Sequence, residues 1–266
     1  MKKPDCRILQ KLIAYGRAVG VLRKPHVRGC PAIPKALIPS APHNREHYNE
    51  FIVWINKLCP GEARLIIDVG ANHGDFAEAA GTLFPQAEIW LFEPLPFLCE
   101  ELRKKSGRFS KPWVVHQCAL GEKATITDLW VDPMRDDIGS LVGFGGSHQE
   151  NARSSSRPEK ILCEVRPLDS FAAKSSQRKI DLLKIDVEGF EFEVLQGGQQ
   201  VLAQTQAVLV EVSLMRDDML TPDRLGRMLE LLARAGLMAV EVIPSWFSAK
   251  NPWLPVEFNI LAKRVG

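Results

Sequence analysis

From residue 61 onward, short apolar runs alternate with segments of helical periodicity, and this alternation limits the possible folds more than any other feature of the chain. Runs typical of buried strands lie at 65–69, 87–92, 113–118, 180–186, 207–213, 238–243 and 258–263. Helical patterns lie between most of them, at 74–84, 95–105, 190–203 and 222–235. Because strands separated by helices pair in parallel, this order predicts a doubly wound α/β sheet with helices on both faces.

The alternation is interrupted between the third and the fourth run. Two further strand-like runs, 125–131 and 162–168, predict a small β insert after the third strand, at about residues 125–168. The stretch 132–160 between them is rich in Gly, Ser and Arg. A loop of this length in a compact domain is typical of a functional lid or a disordered insert.

The N-terminal region has a different pattern. Residues 8–22 place apolar side chains at helical spacing with basic residues between them, which is typical of a helix on a membrane surface or against a partner. Packing on its own domain or on a partner subunit is the favoured alternative. Five prolines within 25–43 predict an extended linker, and a second helix follows with apolar residues from Tyr48 to Leu58. We therefore expect an N-terminal region, 1–60, and a main domain, 61–266.

Charge and cysteine content exclude several classes of protein. The net charge is +2, but residues 1–28 hold eight Lys/Arg against the single acid Asp5, which leaves 26 basic against 31 acidic residues elsewhere. The main domain is therefore not expected to bind nucleic acid. The six cysteines form no CxxC pair, which favours reduced, buried thiols. No apolar run is long enough to span a membrane and no signal-peptide pattern is convincing, so a cytoplasmic location is expected.

A glycine-flanked turn follows the first strand directly, so that residues 68–74 read DVGANHG. In an open parallel sheet, ligands bind at the carboxyl ends of the strands, where this turn lies. Gly70 and Gly74 permit a tight turn and a close approach of a ligand to the backbone, and the next helix starts with free N–H groups. The spacing G-x-x-x-G differs from the G-x-G-x-x-G of dinucleotide-binding proteins, which disfavours an NAD-dependent oxidoreductase.

Acidic residues end the second and the fourth strands. Glu93 follows the second strand, where a carboxylate can accept both hydroxyls of a ribose; the alternative is an acid that caps the next helix or faces solvent. The fourth strand reads KIDVEGFEFEVLQGG, so Lys184, Asp186 and Glu188 crowd one strand end. Such crowding is unfavourable unless a ligand or ion partners compensate it, and an ion network with a helix cap is nearly as well supported as a ligand site.

Together these motifs resemble the FkbM-type methyltransferases, which use S-adenosylmethionine. The resemblance rests on DVGANHG, then FEP, ALG at 119–121, LDSF at 168–171, LLKIDVEGFEFEVLQGG, and a strand that ends in Glu211, over about residues 64–213. It implies a class I methyltransferase (Rossmann-like) fold, with a mostly parallel seven-stranded sheet whose last strand is antiparallel. It also implies S-adenosyl-L-methionine as the cofactor.

The resemblance assigns roles to matching positions of this chain. The residues it implies around the cofactor are Asp68, Gly70 and Asn72 at the methionine part, Gly74 at the start of the next helix, Glu93 at the ribose, Cys118 and Ala119 at the adenine, and Asp186 at the amino group or the reacting centre. A non-catalytic nucleoside-binding or scaffold protein remains the main alternative, and calorimetry with S-adenosylmethionine, S-adenosylhomocysteine and NAD would separate the competing readings.

Transfer of a methyl group to a hydroxyl requires alignment and a base that removes the hydroxyl proton. The family is associated with O-methylation of sugar or polyketide-like hydroxyls, so a small-molecule or glycan hydroxyl is the expected acceptor. Asp186 and Glu188 are the first candidates for the base, followed by His73. His116 and His148 are weaker candidates.

Two further possibilities concern a metal and the acceptor. Asp186 and Glu211 end adjacent strands and carry the oxygen ligands that a magnesium ion prefers. Strand-tip acids more often hold loops, so no metal is predicted. In the segment 244–258, Trp246 and Trp253 suit stacking on an acceptor, although aromatic residues in a connector are more often packing anchors.

Overall fold

The computed structural model describes residues 45–132, 135–141, 159–175, 179–216, 219–220, 223–247, 253 and 255–265. The predicted basic helix at 8–22, the linker at 25–43, most of the stretch 132–160 and His148 lie outside the described residues. All described residues belong to one unit, Ile33–Gly266. The division into 1–60 and 61–266 stays a prediction.

The strands and helices follow the predicted alternation. In chain order the elements are α1 (Arg45–Leu58), β1 (Leu65–Val69), α2 (Asp75–Leu83), β2 (Glu88–Phe92), α3 (Pro96–Ser106), β3 (Val114–His116), β4 (Ala119–Leu120), β5 (Thr125–Asp132), β6 (Arg135–Ser140), β7 (Glu159–Arg166), a 3-10 helix (Leu168–Ser175), β8 (Leu182–Ile185), α4 (Glu191–Gln196), α5 (Gln199–Gln204), β9 (Ala207–Ser213), β10 (Met215–Arg216), β11 (Met219–Leu220), α6 (Asp223–Arg234), β12 (Leu237–Phe247) and β13 (Pro255–Arg264).

The main sheet has seven strands in the order β12-β13-β9-β8-β1-β2-β3. Strands β1, β2, β3, β8 and β9 pair in parallel, whereas β13 is antiparallel to both β9 and β12. The predicted fold class, with its antiparallel last strand, is thereby confirmed. Because the five parallel strands share one direction, their carboxyl ends meet at a single edge of the sheet.

Both faces of the sheet are covered, which explains why its strands are apolar on both sides. In β1, Leu65 and Ile67 pack in a cluster with side chains from α4, α5 and α6. Ile66, between them, packs in a second cluster with side chains from α1, α2 and α3. The alternation of faces along a strand therefore assigns every second residue to one helical layer.

The predicted β insert is confirmed, but it contains more strands than the two that were predicted. A second sheet has the order β4-β7-β5-β6, so the third run of the sequence divides between β3 in the main sheet and β4 in the insert. Strand β6 lies in the stretch predicted as a loop, because its sequence RDDIGS lacks apolar alternation. Its backbone pairs with β5, opposite Trp130 and Val131.

Two other boundaries differ from the prediction. The helix predicted at 190–203 is two helices, because the chain bends at Gly197 and Gly198; a Cβ on Gly197 would lie 2.0 Å from the carbonyl oxygen of Gly121. Strand β12 extends to Phe247, so the segment that begins at 244 starts as strand rather than connector. Within the described part of the chain, no helix combines the length and the apolarity needed to cross a bilayer.

Candidate active site

A cavity opens at the carboxyl edge of the main sheet, between the ends of β1, β2 and β8 and the insert. Its empty volume, which includes space open to solvent, is about 660 Å³. Of the predicted site residues, Gly70, Asn72, Glu93, Cys118, Ala119, Asp186 and Glu188 line it. Asp68, His73 and Gly74 do not. Sequence reasoning missed Phe190, Val187 and the insert residues Leu129, Gly139 and Leu141, which also line it.

The turn after β1 is held by backbone hydrogen bonds to the end of β2. The N–H groups of Gly70 and Ala71 both donate to the carbonyl oxygen of Phe92, at 3.0 and 3.1 Å. Gly70 has φ 75°, and a Cβ there would lie 1.7 Å from the carbonyl oxygen of Asp186. Gly70 therefore makes room for the neighbouring chain after β8. It also lines the cavity, and the expected close approach of a ligand to its backbone stays a prediction.

Gly74 starts α2, as predicted, and packs against α3. It is the N-cap residue with φ 86°, and a Cβ there would lie 2.7 Å from Leu102 Cδ2. This glycine therefore serves helix packing and lies outside the cavity lining.

Glu93 is buried at the end of β2, with 4% of its surface exposed. Its carboxylate accepts hydrogen bonds from the backbone N–H of Asn72 at 2.9 Å and of Leu95 at 2.9 Å. Burial raises the pKa of Glu93 to about 7, against the effect of these two hydrogen bonds. The side chain thus fixes the turn at Asn72, and Glu93 is one of the residues that line the cavity.

A row of charged side chains lies along one face of the sheet. Asp68, Lys184 and Glu211 each stand two residues after a core residue of the α1–α3 side, namely Ile66, Leu182 and Leu209. Because side chains two apart on a strand share a face, the three point to the same layer. Sequence spacing alone indicated such alternation, but only the pairing of the strands places Asp68 opposite Lys184. Lys184 pairs with Leu209, so Glu211 lies two residues farther along β9 on the same face.

Asp68 is fully buried and is a direct cross-strand partner of Lys184. Lys184 Nζ lies 3.4 Å from Asp68 Oδ1 and 3.3 Å from Asp186 Oδ2. Burial raises the pKa of Asp68 to about 6, although Lys184 opposes the shift. Burial alone would lower the pKa of Lys184, but Asp186 and Asp68 together raise it.

The loop after β8 carries Asp186 and Glu188 to the cavity. The Asp186 side chain is 31% exposed. Glu188 has φ 52°, a left-handed conformation that is uncommon for a residue with a side chain. Its carbonyl oxygen accepts a hydrogen bond from Ser140 Oγ of the insert at 3.0 Å, and Arg224 of α6 donates to the carbonyl oxygen of Gly189. The loop is therefore anchored from both sides.

Glu211 is partly buried near other acidic side chains. Burial raises its pKa well above the usual value, and the neighbouring carboxylates of Asp186 and Glu257 add to the shift. Burial also raises the pKa of Glu257, and the neighbouring carboxyl group of Glu211 opposes that shift. Among the described residues, no group of three or more His, Cys, Asp or Glu side chains has the arrangement of a metal site.

Neither His73 nor His116 lines the cavity. His73 Nδ1 is 3.0 Å from Glu101 Oε2 of α3, and its backbone N–H bonds to Asn72 Oδ1 at 2.5 Å. This placement favours a role at the start of the helix over a catalytic one. The ring of His116 stacks on Phe92, with centroids 4.7 Å apart. Trp253 is 85% exposed and does not line the cavity, and the side chain of Trp246 lies outside the described residues.

Cys118 and Ala119 form the apolar side of the cavity together with Phe190 and Leu129. Both are buried, and burial raises the pKa of the Cys118 thiol to about 12. Cys118 therefore acts as a small apolar wall residue rather than as a nucleophile. Cys59, Cys99 and Cys163 are also free thiols.

The fold and the site define a Rossmann-like domain of the class I methyltransferase type: a seven-stranded sheet with an antiparallel last strand, and a cavity at the carboxyl ends of its central strands. Residues 68–236 match the methyltransferase FkbM domain. The chain belongs to the FkbM methyltransferase family.

Three curated relatives are similar over about half of the chain. They are the 2-O-methyltransferase NoeI of Sinorhizobium fredii (25% identical, covering 56% of this chain and 63% of the relative), the hexuronic acid methyltransferase AglP of Haloferax volcanii (28%, 57% and 56%) and the 31-O-demethyl-FK506 methyltransferase FkbM of Streptomyces tacrolimicus (29%, 53% and 61%). The chain thus spans less than two thirds of the length of each of these relatives.

Proposed function

We propose that the chain is an S-adenosylmethionine-dependent methyltransferase that methylates a hydroxyl group of a sugar, a glycan or a polyketide-like small molecule. One observation carries the proposal: in a member of the FkbM methyltransferase family, Glu93 and Asp186 line one cavity at the carboxyl edge of the sheet. The names of the relatives support an oxygen acceptor, since NoeI is a 2-O-methyltransferase and AglP is named for a hexuronic acid.

The residues present fit the proposed cofactor. The carboxylate of Glu93 lines the cavity and retains lone pairs for the ribose hydroxyls. The apolar wall of Cys118, Ala119 and Phe190 suits an adenine ring, and the carboxylate of Asp186 suits the cationic amino group. When bound, S-adenosylmethionine supplies a methyl group on a positively charged sulfur.

We assign the removal of the acceptor proton to Glu188. Asp186 is already paired to the Lys184 ammonium, so its carboxylate serves best as a fixed charge beside the cofactor. Glu188 lines the cavity and is exposed, and its backbone is held by Ser140, so it can accept a proton from a hydroxyl and release it to water. A positioned base of this kind contributes about 10²–10⁴-fold to a rate.

Calorimetry with S-adenosylmethionine, S-adenosylhomocysteine and NAD tests the cofactor. We expect the first two to bind, and Glu93→Ala to weaken binding about ten- to a hundredfold, through the loss of hydrogen bonds worth about 1.5–3 kcal/mol. Glu100→Ala, at an exposed position of α3, is the matched control and should bind as the wild type does. Binding of NAD alone would overturn the proposal.

Transfer of a labelled methyl group to a panel of uronic acids, oligosaccharides and polyketide alcohols tests the reaction. Glu188→Gln should lower the transfer rate at least about a hundredfold while cofactor affinity stays unchanged. Cofactor binding without transfer to any acceptor would instead support the non-catalytic nucleoside-binding alternative.

A further inference from the structure

Lys184 contacts both walls of the cavity, and the reaction proposed above assigns it no role. Its Nζ donates a hydrogen bond to the carbonyl oxygen of Gly70 at 2.8 Å, in the turn after β1. The same ammonium lies 3.3 Å from Asp186 Oδ2, in the loop after β8, and 3.4 Å from Asp68 Oδ1. One side chain thus joins the strand ends from which two sides of the cavity are built.

A contribution to stability does not by itself explain why a lysine is buried at position 184. Only 5% of the residue is exposed, and Asp68 beside it is fully buried. Removing two such charges from water is unfavourable, and a well-packed apolar pair of similar volume is often as stable as a buried ion pair or more so. The next residues back on the same face, Ile66 and Leu182, show that apolar side chains fit this layer of the sheet.

The contact with Gly70 has a specific geometric effect. The N–H of Gly70 bonds to Phe92 of β2, and its carbonyl bonds to Lys184 of β8, so the residue is tied to a neighbouring strand on each side. Gly70 and Asp186 both line the cavity. The ammonium therefore sets the turn and the carboxylate at a defined separation.

We propose that Lys184 is a positioning residue for the cofactor: its ammonium holds the Gly70 turn and the Asp186 carboxylate in the arrangement that binds S-adenosylmethionine. This inference rests on the proposed function for the identity of the ligand. The positioning of the turn itself is measurable without any ligand.

Two variants separate positioning from charge compensation. Lys184→Met removes the ammonium and leaves Asp68 as an uncompensated buried acid, so we expect reduced stability. The double variant Asp68→Asn, Lys184→Met removes both charges and should recover most of that stability. Lys57→Met is the control, because Lys57 forms an exposed ion pair with Glu241, which contributes little to stability.

Amide hydrogen exchange of the ligand-free double variant decides the question. We expect the Gly70 and Ala71 amides to exchange at least about tenfold faster than in the wild type, although global stability is similar. Affinity for S-adenosylhomocysteine, measured by calorimetry, should fall at least about tenfold in both Lys184 variants. Lys57→Met should change neither quantity.

Wild-type exchange and affinity in the double variant would overturn the proposal, because Lys184 would then only compensate the charge of Asp68. Wild-type affinity in Lys184→Met would overturn it as well. If the wild-type protein bound neither S-adenosylmethionine nor S-adenosylhomocysteine, the proposed function would fail. The positioning role is tested separately, because wild-type exchange at Gly70 and Ala71 in the ligand-free double variant would refute it.

Discussion

Two loops frame the cavity: the turn after β1, here called the first wall, and the loop after β8, the second wall. Different interactions hold them in place. The turn after β1 is fixed by backbone groups: Gly70 and Ala71 bond to Phe92, and the N–H of Asn72 bonds to the buried carboxylate of Glu93. The loop after β8 is fixed by charged side chains, since Asp186 pairs with Lys184. The turn therefore depends more on space and backbone hydrogen bonds, whereas the loop after β8 depends more on side-chain contacts, and Lys184 bonds to both.

The largest loss of stability is expected from a substitution that fills the space at Gly70, in the first wall. Gly70→Ala places a Cβ 1.7 Å from the Asp186 carbonyl oxygen, at a residue with φ 75°. Because both the overlap and the positive φ are unfavourable, we expect a loss of at least about 3 kcal/mol in the free energy of unfolding, measured by urea titration.

Gly226→Ala provides the matched control for that substitution. Gly226 lies within α6, and a Cβ there would meet nothing within 4 Å, so alanine should stabilise the helix by about 0.5–1 kcal/mol. If Gly70→Ala were as stable as the wild type, the close approach of the two loops would be refuted.

The carboxyl group of Glu93, which bonds to the turn after β1, should also make the stability of the protein depend on pH. Its pKa in the folded protein, about 7, lies above the ordinary value of 4.5, so protonation favours the folded state. The stability that this protonation adds to the folded state is fully present below pH 4.5 and is lost as the pH rises through 7. Urea titrations of the wild type and Glu93→Gln at several pH values should show the variant gaining up to about 3 kcal/mol relative to the wild type between these limits.

Asp68 titrates in an overlapping range, with a pKa of about 6, but it is present in both proteins and largely cancels in this difference. A stability difference that stayed constant from pH 4.5 to 8 would contradict the raised pKa of Glu93.

A smaller loss of stability is expected when the contact between the insert and the loop after β8 is removed. Ser140→Ala removes the hydrogen bond to the Glu188 carbonyl oxygen and should cost about 1 kcal/mol, seen as faster amide exchange in β6. Ser170→Ala is the control, because Ser170 Oγ makes a comparable bond to the carbonyl oxygen of Pro167, outside the cavity lining. Equal exchange in β6 for both variants would show that Ser140 does not anchor the insert.

Much of the fold and part of the candidate site could be predicted from local sequence. The strand LIIDV lies where it was expected, and Glu93 and Asp186 line the same cavity as predicted from their strand ends. These predictions succeeded because apolar periodicity and strand order are local properties. Strand β6 was missed because its sequence has no apolar pattern, so its pairing with β5 was not recognisable.

The class of sheet, the edge at which the cavity lies and the acids at that edge could all be predicted from the spacing of residues along each strand. The spacing did not indicate that Lys184 lies opposite Asp68, that Gly70 makes room for the Asp186 carbonyl, or that His73 faces Glu101. These contacts join segments far apart in the chain, and their geometry depends on strand register and loop position, which no local spacing encodes.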